Sequence, residues 1–497
     1  MSVSSTFAPR AALLRASAAA LLVIPFVLAF YGGGYLPEPR AWAGLAASVT
    51  LIAGVLLRPL PRGRAALLTL GGLLLFAAWT LLSTVWAPVA GDAYHAGELD
   101  FLYVAATVAA AQLLRGRSAL RALEPALAAG TLVVIGYGLS ERFLPGLLHF
   151  ARSETAGGRL EQPLTYWNAM GELAAIGFVL CSRMAGDFTR RAAARALAAA
   201  AAVPLGLGIY LTFSRGAIYA CLAGLLLLLV LVRRREQLQA MGVAVAGAVL
   251  ASVAAAPFKG VTSLLGPLHR RETQGAITLA LLVLITVLAA AAMWALARDG
   301  RTAPLALPRR SAAIALVLIV AGLGVAIVVG AKETSHATTL GGGAGRLTTL
   351  RSDRYAYWNV AFKAFTAEPV HGVGAGGWAV WWLRYRKISG FAKDAHSLPL
   401  QTLAELGLVG LALLAVFLAG IAVSARVAHR LDPQLSAGMI AGVLVYYVHA
   451  PLDWDWELPA LTLVAMVLTG ALVALAARPR REAVAEAAPA PLTAVEA

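Results

Sequence analysis

The chain is poor in charge and in cysteine. Only 13% of its 497 residues are charged, whereas 60% are hydrophobic, and the two cysteines are Cys181 and Cys221. A soluble protein of this size needs far more charge to cover its surface, so the composition excludes an ordinary soluble domain. Both cysteines lie inside apolar runs, which argues against a disulfide framework or a cysteine-ligated metal site.

Several common catalytic motifs are absent as well. The sequence contains no His-Glu-x-x-His, no Gly-x-Ser-x-Gly and no Cys-x-x-Cys. The glycine-rich segment His371–Gly377 is not preceded by a strand or followed by Lys-Ser/Thr, so we reject a nucleotide-binding loop there. We interpret it as a flexible turn that lets the backbone approach a ligand. Soluble-enzyme templates therefore fail, and we expect no cofactor.

Long apolar runs dominate what is present. Mean hydropathy is +0.76, and the runs are roughly 20 residues long, enough to cross ~30 Å of hydrocarbon. They predict an all-α, polytopic transmembrane helical bundle of about 12–14 spans. The candidate spans are 11–30, 41–58, 65–86, 99–114, 123–142, 167–184, 193–213, 215–232, 239–257, 275–297, 311–331, 396–425, 435–451 and 457–477.

The distribution of arginine predicts the orientation of these spans. Every second loop is short and arginine-rich, as the positive-inside rule requires, so both termini are expected in the cytoplasm. The net charge of +16 then reflects topology and contacts with anionic lipid, and we expect no nucleic-acid partner. Four regions are predicted: N-terminal transmembrane helices (1–331, about 11 spans), an extracytoplasmic loop (332–395), C-terminal transmembrane helices (396–477, about 3 spans) and a disordered cytoplasmic tail (478–497).

Arg215 lies between two apolar runs, in Leu211-Thr-Phe-Ser-Arg-Gly-Ala217. An arginine at or slightly below the membrane surface is destabilising unless it is paired, and such residues are functional by default. A snorkelling interfacial anchor is the simpler alternative. Because Gly216 and Ala217 leave room for a ligand beside the guanidinium, we favour the functional interpretation.

A second candidate, Arg354, begins a stretch with aromatic residues at helical spacing. We predict an amphipathic helix over 352–366 on the membrane surface, with aromatic side chains that serve mostly for packing: Tyr355, Trp358, Phe362 and Phe365. Arg354 on a solvated face is the alternative. The functional hypothesis is phosphate binding, since a guanidinium holds phosphate oxygens in bidentate fashion.

His396 is the sharpest candidate for proton transfer. It lies two residues after Asp394, where the predicted outer loop meets the next span. Histidine is the side chain best suited to accept a proton near neutral pH, and a following helix N-terminus keeps the ring neutral. An interfacial histidine without a task is the alternative. Glu405, deeper in the same span, would pair with an arginine such as Arg215 or hold helices together by hydrogen bonds.

Two further segments carry polar candidates. Arg159 is a candidate third cation, and Asn168, which opens another span, is a candidate helix cap or polar contact. The segment Asp453-Trp-Asp-Trp-Glu457 contains an Asp-x-Asp pair, but a three-residue match is a weak sign of a metal site and we expect none. We favour a place in the interfacial aromatic belt for its two tryptophans over stacking on sugar rings.

Together these residues resemble the O-antigen ligase and O-antigen polymerase superfamily, the WzyC-type membrane glycosyltransferases. The resemblance covers about 159–410, in the same order and topology. The segments that carry it are Arg159…Asn168, Leu211-Thr-Phe-Ser-Arg-Gly-Ala217, Arg354-Tyr-Ala-Tyr-Trp358…Phe365…Pro369…Gly372-Val-Gly374, and Ala395-His-Ser…Gln401…Ala404-Glu-Leu-Gly-Leu-Val-Gly410.

The resemblance implies metal-independent glycosyl transfer at the outer face of the cytoplasmic membrane. The donor would be a glycan on undecaprenyl diphosphate, and the acceptor a hydroxyl of a lipid, a glycan or a protein. It implies His396 as general base and Arg215 and Arg354 as diphosphate ligands, with Arg159 as a further cation. Four residues would support the site: Asn168, Trp358, Asp394 and Glu405.

The sequence also departs from the family pattern. Ser397 stands where asparagine is usual, and Glu161–Trp167 replaces a glycine- and Asn-Pro-containing run. The reaction subtype therefore stays open between a ligase, a Wzy-type polysaccharide polymerase and an O-oligosaccharyltransferase. The alternative of another class is a polysaccharide or lipid transporter. Transporters usually bind substrate near the bilayer midplane between internal repeats, and the sequence shows no such repeat.

Overall fold

The computed structural model describes residues 7–299, 303–305, 314 and 352–478. Within these ranges the chain forms helices and connecting turns, with no β-sheet. Residues 7–299 hold ten main helices: α1 Phe7–Ala29, α2 Pro37–Leu57, α3 Arg64–Val85, α4 Ala90–Leu113, α5 Arg117–Phe143, α6 Trp167–Gly186, α7 Ala192–Thr212, α8 Arg215–Leu231, α9 Arg235–Ala255 and α10 Leu268–Arg298. Residues 352–478 hold five: α11 Arg354–Ala367, α12 Gly377–Tyr385, α13 Leu398–Leu431, α14 Pro433–His449 and α15 Pro459–Ala476.

The helices agree with the hydropathy prediction. Eleven helices in the described residues are long and apolar enough to cross a membrane, and α8 is a shorter apolar helix of 17 residues. Thirteen of the fourteen predicted spans coincide with described helices, whereas span 311–331 lies outside the described residues. Residues 332–351 of the predicted loop and 479–497 of the predicted tail lie outside them too. The chain is thus a multi-pass membrane protein with an all-helical bundle, as predicted.

Two helices form the centre of the bundle. Every residue of the apolar stretch of α6 is buried, and nearly every residue of α15 is. Helix α6 packs against α5, α7, α8, α9 and α14, and α15 packs against α1, α4, α13 and α14. In lipid the hydrophobic effect does not drive helices together, so close packing of small residues is needed. Helix α6 supplies them with Gly171, Ala174, Ala175 and Gly177, all buried.

A glycine-rich loop packs against an interruption in α13. Gly407, inside this helix, has φ +64° and ψ −163°, so the helical hydrogen bonding is interrupted there. The backbone amide of Val373 donates to the Ala404 carbonyl over 3.0 Å, and that of Gly374 donates to the Glu405 carbonyl over 2.8 Å. The prediction that the His371–Gly377 turn lets the backbone approach a ligand is therefore wrong. Its glycines allow a close approach to the protein's own helix.

Helices α11 and α12 share a small core of their own. Trp378 and Trp382 stack with ring centroids 5.5 Å apart, and they pack against Val360, Ala361 and Ala364 of α11. Helix α11 was predicted over 352–366 and runs over Arg354–Ala367. The prediction that its aromatic side chains serve mostly for packing is wrong for Phe362, which is 58% exposed, whereas Tyr355, Trp358 and Phe365 are half-buried and the small residues Val360, Ala361 and Ala364 are buried. Aromatic residues at helical spacing share one face of the helix, but the spacing does not show whether that face packs against protein or faces lipid.

Candidate active site

A polar cavity of ≈ 560 Å³ lies where the turns before α6 and α8, the start of α11 and the loop before α13 meet. Six of the predicted site residues line it: Arg159, Asn168, Arg215, Arg354, Asp394 and His396. They come from segments separated by up to 237 positions in the sequence (396 − 159). Helix packing therefore brings together at one end of the bundle the polar residues that the sequence scatters.

Arg354 is held by the carboxylate of Asp453, a pairing that the sequence does not predict. It opens α11 and forms an ion pair with Asp453, whose side chain is fully buried. Burial by itself would lower the pKa of Arg354, but Asp453 and Tyr166 outweigh it, so the pKa is raised. Burial would raise the pKa of Asp453, but Arg354 and the histidines His449 and His396 keep it below the ordinary value. Both partners are thus charged near neutral pH.

Asp453 is the centre of a small hydrogen-bond network. Its Oδ1 accepts from the Tyr166 hydroxyl at 2.6 Å and from the Trp454 backbone amide at 3.0 Å. Its Oδ2 accepts from the Asn168 amide at 2.8 Å as well as from Arg354. Four donors therefore satisfy one carboxylate, which fixes the guanidinium of Arg354 against the floor of the cavity.

Asn168 does not cap a helix, although a helix cap was one of its two predicted roles. The residue at the N-cap of α6 is Tyr166, and no side chain caps this helix end. Asn168 lies one residue inside the helix and donates to both the Tyr166 hydroxyl and Asp453. The predicted polar contact is thus present, and it supports the network beneath Arg354.

His396 lies in the cavity wall, in surroundings that favour its neutral form. Its Nδ1 is 2.9 Å from the backbone carbonyl of Asp394, and because a carbonyl only accepts, Nδ1 carries the proton. The lone pair is then on Nε2, as a general base requires. Burial, assisted by the nearby charge of Arg354, lowers the pKa of His396, while Asp453 acts in the opposite direction. The ring lies between Tyr357 and Trp454, with centroids 5.0 and 5.9 Å away.

The conformation of the His396 segment is also unusual. His396 has φ +53°, in the left-handed region that few non-glycine residues adopt. Burial, and secondarily Glu457, raises the pKa of the neighbouring Asp394 carboxyl to about 7. Gln401 of α13 holds this loop in place: its Nε2 donates to the Asp394 carboxylate at 3.3 Å, and its Oε1 accepts from the Ala395 amide at 3.2 Å.

Arg215 and Arg159 supply positive charge to the cavity. Arg215 is the first residue of α8, after Ser214, whose hydroxyl accepts from the Ala217 amide and caps the helix. It therefore lies at the positive end of the helix dipole, which favours an anion at the same place. The Arg159 guanidinium stacks on the ring of Trp167 at 3.6 Å and donates to the carbonyls of Ala156 and Thr155. Together with Arg354, three arginines line one cavity.

Two predicted supporting residues lie elsewhere. Glu405 is buried in α13, where its carboxylate accepts from the Trp378 backbone amide at 3.1 Å, and it lines a separate small cavity beside Asp100 and Glu457. Of its two predicted roles, the structure shows the hydrogen bonding between elements. Trp358 does not line the site cavity, and its ring packs edge-on against Tyr355 at 5.4 Å.

The Asp453–Glu457 segment turns into the bundle. Trp456 is buried, donates to Asp100 at 2.7 Å and packs against Phe76 and Tyr103. The predicted place in an interfacial aromatic belt is therefore wrong for Trp456. Trp454 lines the site cavity. The residue type of a tryptophan does not show which way the turn that carries it folds.

Asp455 joins a second buried cluster. His449 Nδ1 lies 2.7 Å from Asp455 and 2.9 Å from Glu172, both carboxylates fully buried. Within the described residues, these three side chains are the group whose ligand atoms lie close enough together to hold a metal ion. The cluster lies next to the N-terminus of α8, since a Cβ on Gly216 would lie 2.7 Å from His449 Nε2.

Comparison with known families matches the C-terminal part of the chain. Residues 272–415 match the family described as O-Antigen ligase, Wzy_C. The matched region contains Arg354, Asp394 and His396 of the site. Among curated proteins, a search with the chain finds no match. The family match supports an O-antigen ligase-type family and confirms the resemblance for the two segments that lie within it, Arg354…Gly374 and Ala395…Gly410; the segments of Arg159 and Arg215 lie outside the matched residues.

Proposed function

We propose that this protein transfers a glycan from a polyprenyl diphosphate to an acceptor hydroxyl at the extracytoplasmic face of the cytoplasmic membrane. The match of residues 272–415 to the O-antigen ligase family, Wzy_C, supports this proposal. Undecaprenyl diphosphate is the carrier we expect for the donor. The observation that carries the proposal is that three arginines and a neutral histidine line one cavity of ≈ 560 Å³ at one end of the membrane helices.

The arginines suit a diphosphate leaving group. As the bond between the anomeric carbon and the phosphate oxygen breaks, its electron pair passes to the diphosphate, whose negative charge grows. Guanidinium groups that line a cavity stabilise that charge more strongly than they would in bulk water. The backbone of Arg215 is set by a capped helix N-terminus, and the guanidinium of Arg354 is held by Asp453 before substrate arrives. Such an arrangement can support the reaction without a metal ion.

The histidine suits the other half of the reaction. As the acceptor oxygen bonds to the anomeric carbon, its proton passes to Nε2 of His396. Nδ1 keeps its hydrogen bond to the Asp394 carbonyl throughout, which holds the ring in the productive tautomer. A positioned general base typically contributes about 10²–10⁴-fold to such a step. Because the neutral form of His396 is favoured by its lowered pKa, the base is ready at neutral pH.

The direct test is reconstitution. The purified full-length protein in detergent is mixed with a polyprenyl-diphosphate-linked glycan and, in parallel, with lipid, sugar and peptide hydroxyl acceptors. Products are identified by mass spectrometry. We expect transfer to one acceptor class with release of polyprenyl diphosphate, and the same rate after exhaustive chelation with EDTA.

Three results would speak against the proposal. Absence of product with every acceptor class contradicts glycosyl transfer. Movement of the intact donor across a vesicle membrane without transfer would favour a transporter instead. Strict dependence on a divalent cation would contradict the metal-independent step and direct attention to Glu172, His449 and Asp455.

A further inference from the structure

A buried cluster of two carboxylates and an imidazole lies next to the site. Glu172 comes from α6, His449 ends α14, and Asp455 lies in the turn before α15. The three side chains are at most 1% exposed. Nδ1 of His449 lies 2.7 Å from Oδ2 of Asp455 and 2.9 Å from Oε2 of Glu172. Three groups of the kind that bind metal ions therefore converge on one place.

The carboxylates of this cluster have few hydrogen-bond donors. An ionised carboxylate can accept about four hydrogen bonds, and Asp453, two residues before Asp455, accepts four. By contrast, neither oxygen of Glu172 nor Oδ1 of Asp455 receives a well-aligned hydrogen bond from the part of the chain that the structure describes. The Nδ1–H of His449 is directed at Asp455. Because buried charges are paired or coordinate a metal ion, these buried oxygens indicate a cationic ligand.

Charge balance indicates the valence of that ligand. The two carboxylates carry two negative charges when ionised, and within residues 7–299 and 352–478 His449 is the basic side chain that pairs with either of them. The guanidinium of Arg354 is already paired with Asp453. A protonated His449 leaves one negative charge in the bundle interior, where an unbalanced charge is strongly destabilising. A divalent cation bound by the neutral imidazole and both carboxylates leaves no net charge.

The spacing of the ligand atoms suits an octahedral ion. Such an ion, with bonds of about 2.1 Å, holds neighbouring ligand atoms ~3.0 Å apart. The two distances from Nδ1 of His449 to the carboxylate oxygens are 2.7 and 2.9 Å, so binding requires shifts of only ~0.3 Å or less. A mixed set of imidazole and carboxylate ligands suits Mn²⁺ and Zn²⁺, whereas Mg²⁺ and Ca²⁺ favour oxygen ligands alone.

We propose that Glu172, His449 and Asp455 bind one divalent transition-metal ion, Mn²⁺ or Zn²⁺, that stabilises the fold. On binding, Nδ1 of His449 releases its proton to solvent and coordinates the ion through the freed lone pair. The ion is enclosed by buried side chains, so it contacts neither substrate and takes no part in the glycosyl transfer. Chelators added to the folded protein do not reach it, which is compatible with transfer that EDTA leaves unchanged.

The ion would join the elements that support both arginines of the site. Asp453, in the same turn as Asp455, holds Arg354. His449 packs against the start of α8, since a Cβ on Gly216 would lie 2.7 Å from its Nε2. An ion at the cluster therefore ties α6 and α14 to the turn beneath Arg354. It uses Asp455 without Asp453, so it differs from a metal site built on the Asp-x-Asp pair.

Elemental analysis tests this site directly. The full-length protein, carrying an affinity tag without histidine, is produced in medium that contains Mn²⁺ and Zn²⁺. It is purified in detergent and washed with EDTA, and its metal content is measured by inductively coupled plasma mass spectrometry. The test variants are Glu172→Gln and His449→Gln. The matched control is Glu124→Gln, which alters a buried carboxylate of the neighbouring helix α5 that pairs with Arg190.

We expect about one equivalent of Mn²⁺ or Zn²⁺ in the parent protein and in the control, and about tenfold less in each test variant, because a ligand of the ion is lost. Less than about 0.1 equivalent in the folded parent protein would overturn the proposal and assign the cluster to a proton shared between the carboxyl groups. Equal metal content in the parent protein and both test variants would also overturn it, since the ion would then lie elsewhere.

Thermal unfolding provides a second measurement in case the test variants do not fold. Parent protein produced in medium depleted of transition metals should unfold several degrees below the metal-loaded protein, because an ion bound only by the folded state stabilises it. The same unfolding temperature for both preparations would contradict a stabilising ion. Neither measurement uses a donor or an acceptor, so its outcome is independent of whether the protein transfers a glycan.

Discussion

Replacement of Asp453 by asparagine tests whether a buried carboxylate positions Arg354 for catalysis. The change keeps the size of the side chain but converts one oxygen into an NH₂ donor. Asp453 accepts four hydrogen bonds, two on each oxygen. Whichever way the amide is oriented, its NH₂ meets at least one group that can only donate: the Trp454 backbone amide on one side, or Arg354 on the other.

The magnitude follows from these contacts. One buried donor left without an acceptor costs about 1–3 kcal/mol, and loss of a partner from a buried ion pair costs about 3–5 kcal/mol. Part of this energy will be relieved by movement of Arg354, whose side chain is 25% exposed. If about 3–4 kcal/mol is lost from the transition state, kcat/KM falls by about 10²–10³-fold.

The assay is steady-state transfer by purified protein, together with thermal unfolding in the same detergent. Asp299→Asn, at an exposed position after α10, is the control for loss of an acidic group. We expect the Asp453→Asn protein to remain folded and to lose kcat/KM, while the control retains it. A folded Asp453→Asn protein with kcat/KM within threefold of the parent would refute the argument that this carboxylate positions Arg354.

Further predictions concern the cavity's charges and its floor. Arg215→Lys and Arg354→Lys should each reduce kcat/KM for the donor by about 10–100-fold, because lysine cannot make a bidentate contact with phosphate; unchanged donor kinetics in both would indicate mere anchoring. The acid limb of the pH profile of kcat/KM should lie below the ordinary histidine pKa of ~6.5, since burial lowers the pKa of His396 and its neutral form persists to lower pH; a limb above that value would contradict a buried neutral base. Gly216→Ala should impair transfer, because the added Cβ would lie 2.7 Å from His449 Nε2 and displace the start of α8; full activity would show that this contact relaxes freely.

The sequence predicts most of the membrane helices because hydropathy is summed over whole segments. A run of roughly 20 apolar residues has few alternatives to a helix in lipid, and α6 and α15 follow directly. The positions of Arg215 and His396 at the ends of such helices are predictable for the same reason. Their arrangement around one cavity depends on the packing of helices, which no single segment encodes.

The errors have a common physical origin. Asp453 lies 99 positions from Arg354, and nothing local in either segment indicates that they pair. The aromatic residues of α11 have the spacing of a packing face, but lipid solvates aromatic rings as well as a protein core does, so Phe362 is exposed. Similarly, Gly372 and Gly374 indicate that another group approaches the backbone closely. They do not show whether that group is a ligand or the neighbouring helix α13.

The most direct test of the account is the effect of His396→Ala on transfer and on donor binding in the same purified protein. We expect kcat to fall by about 10²–10⁴-fold, with the affinity for the polyprenyl-diphosphate donor unchanged because the arginines remain. Transfer at a rate close to that of the parent protein would contradict the assignment of His396 as the base.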